Sequence, residues 1–204
     1  MSAPTGPAGI APESLLPLQQ YQQQRAQQRA QAIAHRRQRS LPLGPAMWLQ
    51  FEDEASVRYQ IQEMLLAERI VARDAVQHTI EHYAHLLGDA QQWRATLFIG
   101  LPEPARRARE LPLLSEAAQH VYVGCGAGPR IVAEANEDLA DRHRGRPSAV
   151  HFLRFALPAQ LRDALSAGEG AVLGCAHPAY AWQRQLPLPL LHSLCADLHS
   201  GTPQ

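Results

Sequence analysis

The sequence predicts an α+β fold, with N-terminal helices packed on a mostly antiparallel sheet in a single domain. Three observations carry that expectation. Helical periodicity fills the first half of the chain, short β-rich runs fill the second, and only one strand–helix–strand unit can be traced. At 204 residues one domain is the default, with a core that needs no disulfide or metal staple.

The elements follow in order. Met1 to Pro12 is rich in Ala, Pro and Gly and lacks the basic-then-apolar order of a signal peptide, so residues 1–13 read as a disordered tail. Ser14 to Arg39 reads as a helix, capped by Ser14 with Pro17 in its first turn. Its apolar stripe (Leu15, Leu18, Tyr21, Ala26, Ile33) is thin and interrupted by Arg25 and Arg29, which places the helix across a surface. Pro42, Gly44 and Pro45 mark a turn, and Met47 to Phe51 alternates like a strand. Ser56 to Ile70 is the strongest helix, with Val57, Ile61, Met64 and Leu65 on one face and Tyr59, Leu66 and Ile70 on another. Asp74 is placed to cap a further helix to about Leu87.

Arg94 to Ile99, Val121 to Cys125, Arg130 to Ala133, Ala149 to Leu157 and Ala171 to Cys175 read as strands. Pro102 to Glu116 and Pro158 to Ala167 read as short helices between them. Leu190 to Leu198 closes a domain of residues 14–199, and residues 200–204 form a C-terminal tail.

Formal net charge is zero, and all 19 basic residues are arginine. The missing lysine excludes a P-loop, a protein kinase and any pyridoxal-phosphate or Schiff-base enzyme, each of which needs that amine. No apolar run is long enough to span a bilayer. Cys125, Cys175 and Cys195 show no C-x-x-C spacing and are expected as reduced thiols in the cytoplasm. Charge is unevenly spread. Ser14 to Phe51 holds five arginines and no acid, while Glu52 to Asp89 holds eight acids against three arginines. Such asymmetry fits either a nucleic-acid contact or two elements that pack on each other.

Several groups of residues are candidates for chemistry. His78, Glu81, His82 and His85 share one face of a helix, a pattern that holds zinc or iron when walled from water and is otherwise a solvated polar face. Glu68 falls on the Val57–Ile61–Met64–Leu65 stripe, where a buried carboxylate needs a partner or a raised pKa; swinging out to Arg36 or Arg69 is the alternative. His151 sits on the apolar side of its strand, and Pro178 fixes the direction in which His177 leaves the next one. If those two strands are neighbours, His151, His177 and Tyr180 converge with Glu68. That set suits proton transfer or one metal ion, iron or zinc. Gly124-Cys-Gly126-Ala-Gly128 is no dinucleotide loop, because a strand follows where a helix must begin, so no nucleotide cofactor is expected.

Taken together, Ile33-Ala-His-Arg-Arg37, Leu43-Gly-Pro45, Phe51-Glu-Asp53, Arg58-Tyr-Gln-Ile-Gln-Glu-Met-Leu65, Glu68-Arg-Ile70, Ala95-Thr-Leu97, Ser148-Ala-Val-His-Phe-Leu-Arg-Phe155 and His177-Pro-Ala-Tyr180 are familiar. The chain resembles a family of uncharacterised bacterial proteins of about this size, classed as a domain of unknown function, from roughly Leu15 to Leu198. Genes of that family often stand beside rubrerythrin and a cysteine-rich iron–sulfur oxidoreductase. The resemblance therefore implies a role in peroxide or redox stress with such partners, and it assigns no catalytic residue. Its blocks contain Glu63, Glu68, His151 and His177, whereas His78 to His85 lie outside them. The expectation is a cytoplasmic accessory protein of a redox-stress pathway. The alternatives are a small enzyme with a Glu/His acid–base or mononuclear metal site, and nucleic-acid binding through the Arg25–Arg39 helix. The last ranks lowest because that helix lacks interleaved aromatics for base stacking.

Overall fold

The computed structural model describes residues 9–126, 128–135 and 147–200. Residues 1–8 of the expected N-terminal tail and residues 201–204 of the C-terminal one lie outside them, as does Ala127 of the glycine-rich turn. The fold is α+β, with six α-helices and two antiparallel sheets among the described residues. The chain divides into two compact units.

The first unit comprises residues 9–38 and 52–88. Helix α1 spans Leu18–Gln38, α2 Glu54–Glu68 and α3 Arg73–Tyr83. Residues 9–13, assigned to the tail from sequence, are instead structured: Ile10 is buried, and Glu13 in the 3-10 turn Pro12–Ser14 pairs with Arg73. Asp53 caps α2 through a reciprocal box, its Oδ1 accepting the Ser56 N–H while the Ser56 hydroxyl accepts the Asp53 N–H. Val57, Ile61 and Leu65 bury one stripe of α2, with Ile80 of α3 also buried. Arg69 ends α2 in the left-handed region, at φ 55°. As expected from its sequence, α1 is mostly exposed, and Tyr21 is its one fully buried residue.

The second unit comprises residues 39–51 and the described residues from 89 on. One sheet runs β1-β2-β3-β7-β6, built from β1 Ser40–Leu43, β2 Met47–Phe51, β3 Gln92–Ile99, β7 Val150–Ala156 and β6 Glu134–Ala135. The other runs β5-β4-β8-β9, from β5 Ile131–Val132, β4 Val121–Cys125, β8 Ala171–Cys175 and β9 Trp182–Gln185. Sequence reading anticipated one sheet; the chain makes two. Ala133 is the corner, since β5 before it pairs with β4 and β6 after it pairs with β7. Inward residues of both sheets, such as Leu97, Phe155, Val123 and Leu173, share one core. Helices α4 (Pro104–Ala117), α5 (Ala159–Ser166) and α6 (Leu188–Ser200) contribute Leu114, Leu161 and Leu194 to it. Strands β1 and β9 were not expected: Pro42 marks a turn in the sequence, and Trp182-Gln-Arg-Gln185 offers no apolar alternation, all four residues being exposed.

Two polar anchors fix this unit. The Tyr180 hydroxyl donates to the Leu43 carbonyl at 2.7 Å and accepts the N–H groups of Ala46 and Met47 at 3.0 and 3.1 Å. Arg39, 2% exposed, donates to the Ser193 hydroxyl, the Asp197 carboxylate and the Phe51 carbonyl, tying α6 to the first strands.

Candidate functional site

The residues singled out from sequence fall in separate places. Glu68 is exposed, not buried as its place on the stripe implied. The physical reason is its place as the last residue of α2: it is in register with the stripe, but the helix end, with Ala67 and Arg69 also exposed, stands clear of the apolar contact. His151 is buried at 2% exposure, and its Nε2 donates to the Ser148 carbonyl at 2.9 Å. Its strand, β7, lies in the five-stranded sheet, while β8, from which His177 emerges, lies in the other. The neighbouring-strand condition for their convergence is therefore not met. His177 instead accepts the Ala179 N–H on Nδ1, with its ring 5.2 Å from that of His120. Tyr180 has its hydroxyl fully engaged in the anchor described above. On α3, His78, Glu81 and His82 are exposed. The helix stops at Tyr83, and His85 turns back so that Nδ1 meets the His82 carbonyl at 2.7 Å. Among the described residues no three His, Cys, Asp or Glu side chains gather closely enough to hold a metal ion.

The first unit contains a preformed cleft of about 470 Å³ between α1 and α2. Polar pairs join its lining residues Tyr21 and His35 to α2 and its cap. At one end Tyr21 donates to Glu63 at 2.8 Å, and Arg25 reaches the same carboxylate with Nε at 2.9 Å and a terminal nitrogen at 2.7 Å. The Arg25 hydrogen bonds hold the Glu63 carboxyl below the usual carboxylate range. Burial, and then that carboxylate, push the Tyr21 hydroxyl well above its ordinary value. The basic α1 and acidic α2 thus pair with each other, which answers part of the charge asymmetry read from sequence.

At the other end the His35 Nε2 lies 2.7 Å from Asp53 Oδ2. Asp53 is rigid because its other oxygen caps α2. With Nε2–H donated to a carboxylate, the neutral imidazole keeps its lone pair on Nδ1. Beneath this pair, the Ser56 hydroxyl donates to Glu52 at 2.6 Å. The Arg36 guanidinium lies 5.5 Å from the Tyr59 ring centre. Gln62, nearly buried, spends its amide on the Leu16 backbone at both atoms.

Sequence reasoning missed His35, Asp53, Tyr59 and the glutamines of this cleft. Two signals were present: the Asp53-x-x-Ser56 cap, and the position of His35 and Asp53 inside the blocks that carry the family resemblance.

A family model described as "Protein of unknown function (DUF3501)" matches residues 9–198. The crystal structure of a protein described as novel and of unknown function from Burkholderia pseudomallei is similar, with 34% identity and a TM-score of 0.87. That similarity covers 92% of this chain and 98% of the other. No curated protein matches.

Proposed function

The chain belongs to the DUF3501 family of proteins of unknown function, and on that footing we propose a protein that binds a small polar molecule in the α1–α2 cleft and exchanges protons with it. One observation carries the reading: His35 lines the cleft with its ring oriented by Asp53 at 2.7 Å. Imidazole is the side chain that trades protons near neutral pH, and a carboxylate behind it fixes ring and tautomer. A lone exposed histidine lacks that orientation. Here Asp53 is held in turn by the first turn of α2.

The setting we propose is a peroxide- or redox-stress pathway, in which this chain serves as an accessory to rubrerythrin-like and iron–sulfur partners. That setting rests on the family resemblance. Electron transfer would belong to the partners, since all three cysteines here have thiols raised by burial.

The test is a fragment screen by ligand-observed NMR on the full chain, repeated with His35→Ala and with Arg109→Ala, a surface change in the other unit. Hits that weaken about tenfold or more in His35→Ala and persist in Arg109→Ala support the cleft; one lost hydrogen bond to a charged group is of that size. Hits indifferent to His35, or none, remove it. A strain lacking the gene that survives peroxide like its parent removes the setting.

A further inference from the structure

Residues 21, 24, 28, 31 and 35 of α1 recur at alternating spacings of three and four, the positions along which one helix packs on another. They are Tyr21, Gln24, Gln28, Gln31 and His35, and all five line the cleft. Leucine or isoleucine at these positions would close the helix pair. Three carboxamides stand there instead, between the Glu63 clamp and the Asp53 clamp. From Gln24 to Gln31 the amides span about 10 Å at the usual helical rise.

The charge of the cleft narrows what fits. No Asp or Glu lines it, and its one arginine and one histidine are already answered. Arg58 is held by Glu54 and the Ser14 hydroxyl, and His35 by Asp53. An uncharged ligand is therefore favoured over an anion. A carboxamide presents a donor and an acceptor side by side, which complements a ring edge carrying N–H beside a ring nitrogen or carbonyl. Hydroxyls donate and accept as well, so the amides would also suit a polyol, and it is an aromatic ring in the lining that favours a planar heterocycle. Tyr59, also in the lining, has the Arg36 guanidinium over one ring face, so a planar heterocycle would stack on the other.

Resting on the cleft reading above, we propose that the ligand is a nucleobase or its nucleoside, read by the glutamine seam of α1 and stacked on Tyr59. The volume of about 470 Å³ lies within the range of small-molecule sites.

Isothermal titration of the full chain with adenosine and with uridine tests this, with xylitol and inorganic phosphate as comparators. The expected result is saturable binding of at least one nucleoside, competed by neither comparator. Binding should weaken about tenfold or more in Gln28→Leu, the loss of one bidentate amide pair, and also in Tyr59→Leu. It should be unchanged in Arg109→Ala. Gln28→Asn keeps an amide of shorter reach and guards against a folding defect, and it too should weaken binding. Nucleoside binding that ignores Gln28 overturns the proposal. So does the absence of nucleoside binding: if fragment hits still depend on His35, only the ligand class falls, and if they do not, the cleft falls with it.

Discussion

Single residues in this protein show how burial sets chemistry. Tyr180 is an attractive acid–base group in sequence, yet its hydroxyl is spent on three backbone groups of the β1–β2 turn. Tyr180→Phe should lower stability by about 2 kcal/mol in urea unfolding, because two buried N–H groups and one carbonyl lose their partner. Gly44 sits in the same turn at φ 69°, and a Cβ there would lie 2.7 Å from the Tyr180 hydroxyl, so Gly44→Ala should destabilise by more than about 1 kcal/mol. Glu63 bears on pH dependence. Its folded carboxyl is depressed by Arg25, so the fold binds this proton less readily than the unfolded chain. The resulting stabilisation is present above the unfolded value, about pH 4.3, and is lost as pH falls through the lower folded value. Glu63→Gln should flatten that acid limb in melts recorded from pH 6 downward. A variant that keeps the wild-type slope would show that other carboxylates carry it.

At the scale of elements, α1 and α2 differ in what holds them. Helix α2 owes its place to a capped start and a buried apolar stripe. Helix α1 buries only Tyr21 and is tied by side-chain pairs to Glu63 and Asp53. Amide hydrogen exchange should therefore be faster along α1 than along α2, by a factor of about ten or more, since polar clamps on partly exposed side chains contribute little each. Asp53 serves both helices. Asp53→Ala should cost about 1 kcal/mol for the lost cap and should also release His35. Asp53→Asn keeps the cap acceptor, so comparing the two by thermal unfolding separates capping from orientation of the imidazole. The sequence made α2 legible because its apolar positions follow one helical period. It concealed β9 and β1, because exposed residues and a proline leave no alternation to read.

Across the whole molecule, the two units bury different things. The larger apolar core belongs to residues 39–51 and the described residues from 89 on, where both sheets and α6 contribute. Exchange protection should peak in β3, β4, β7 and β8; a slowest class found in α1 or α3 would contradict that placement. The α+β class, most strands and the helix order were legible in the chain, because each depends on neighbours within a few residues and on the period of apolar positions. So was the exclusion of lysine chemistry. The fate of Glu68 and of the two histidines was not. Glu68 obeys its stripe in register but stands where α2 ends, while His151 lies in β7 and His177 follows β8, strands that pair with β3 and β4 far away in sequence. Local pattern determined which elements form. Only the tertiary structure decided that His35 meets Asp53 across 18 positions and that three glutamines of α1 face a cleft. Those contacts depend on long-range packing, which local periodicity does not encode.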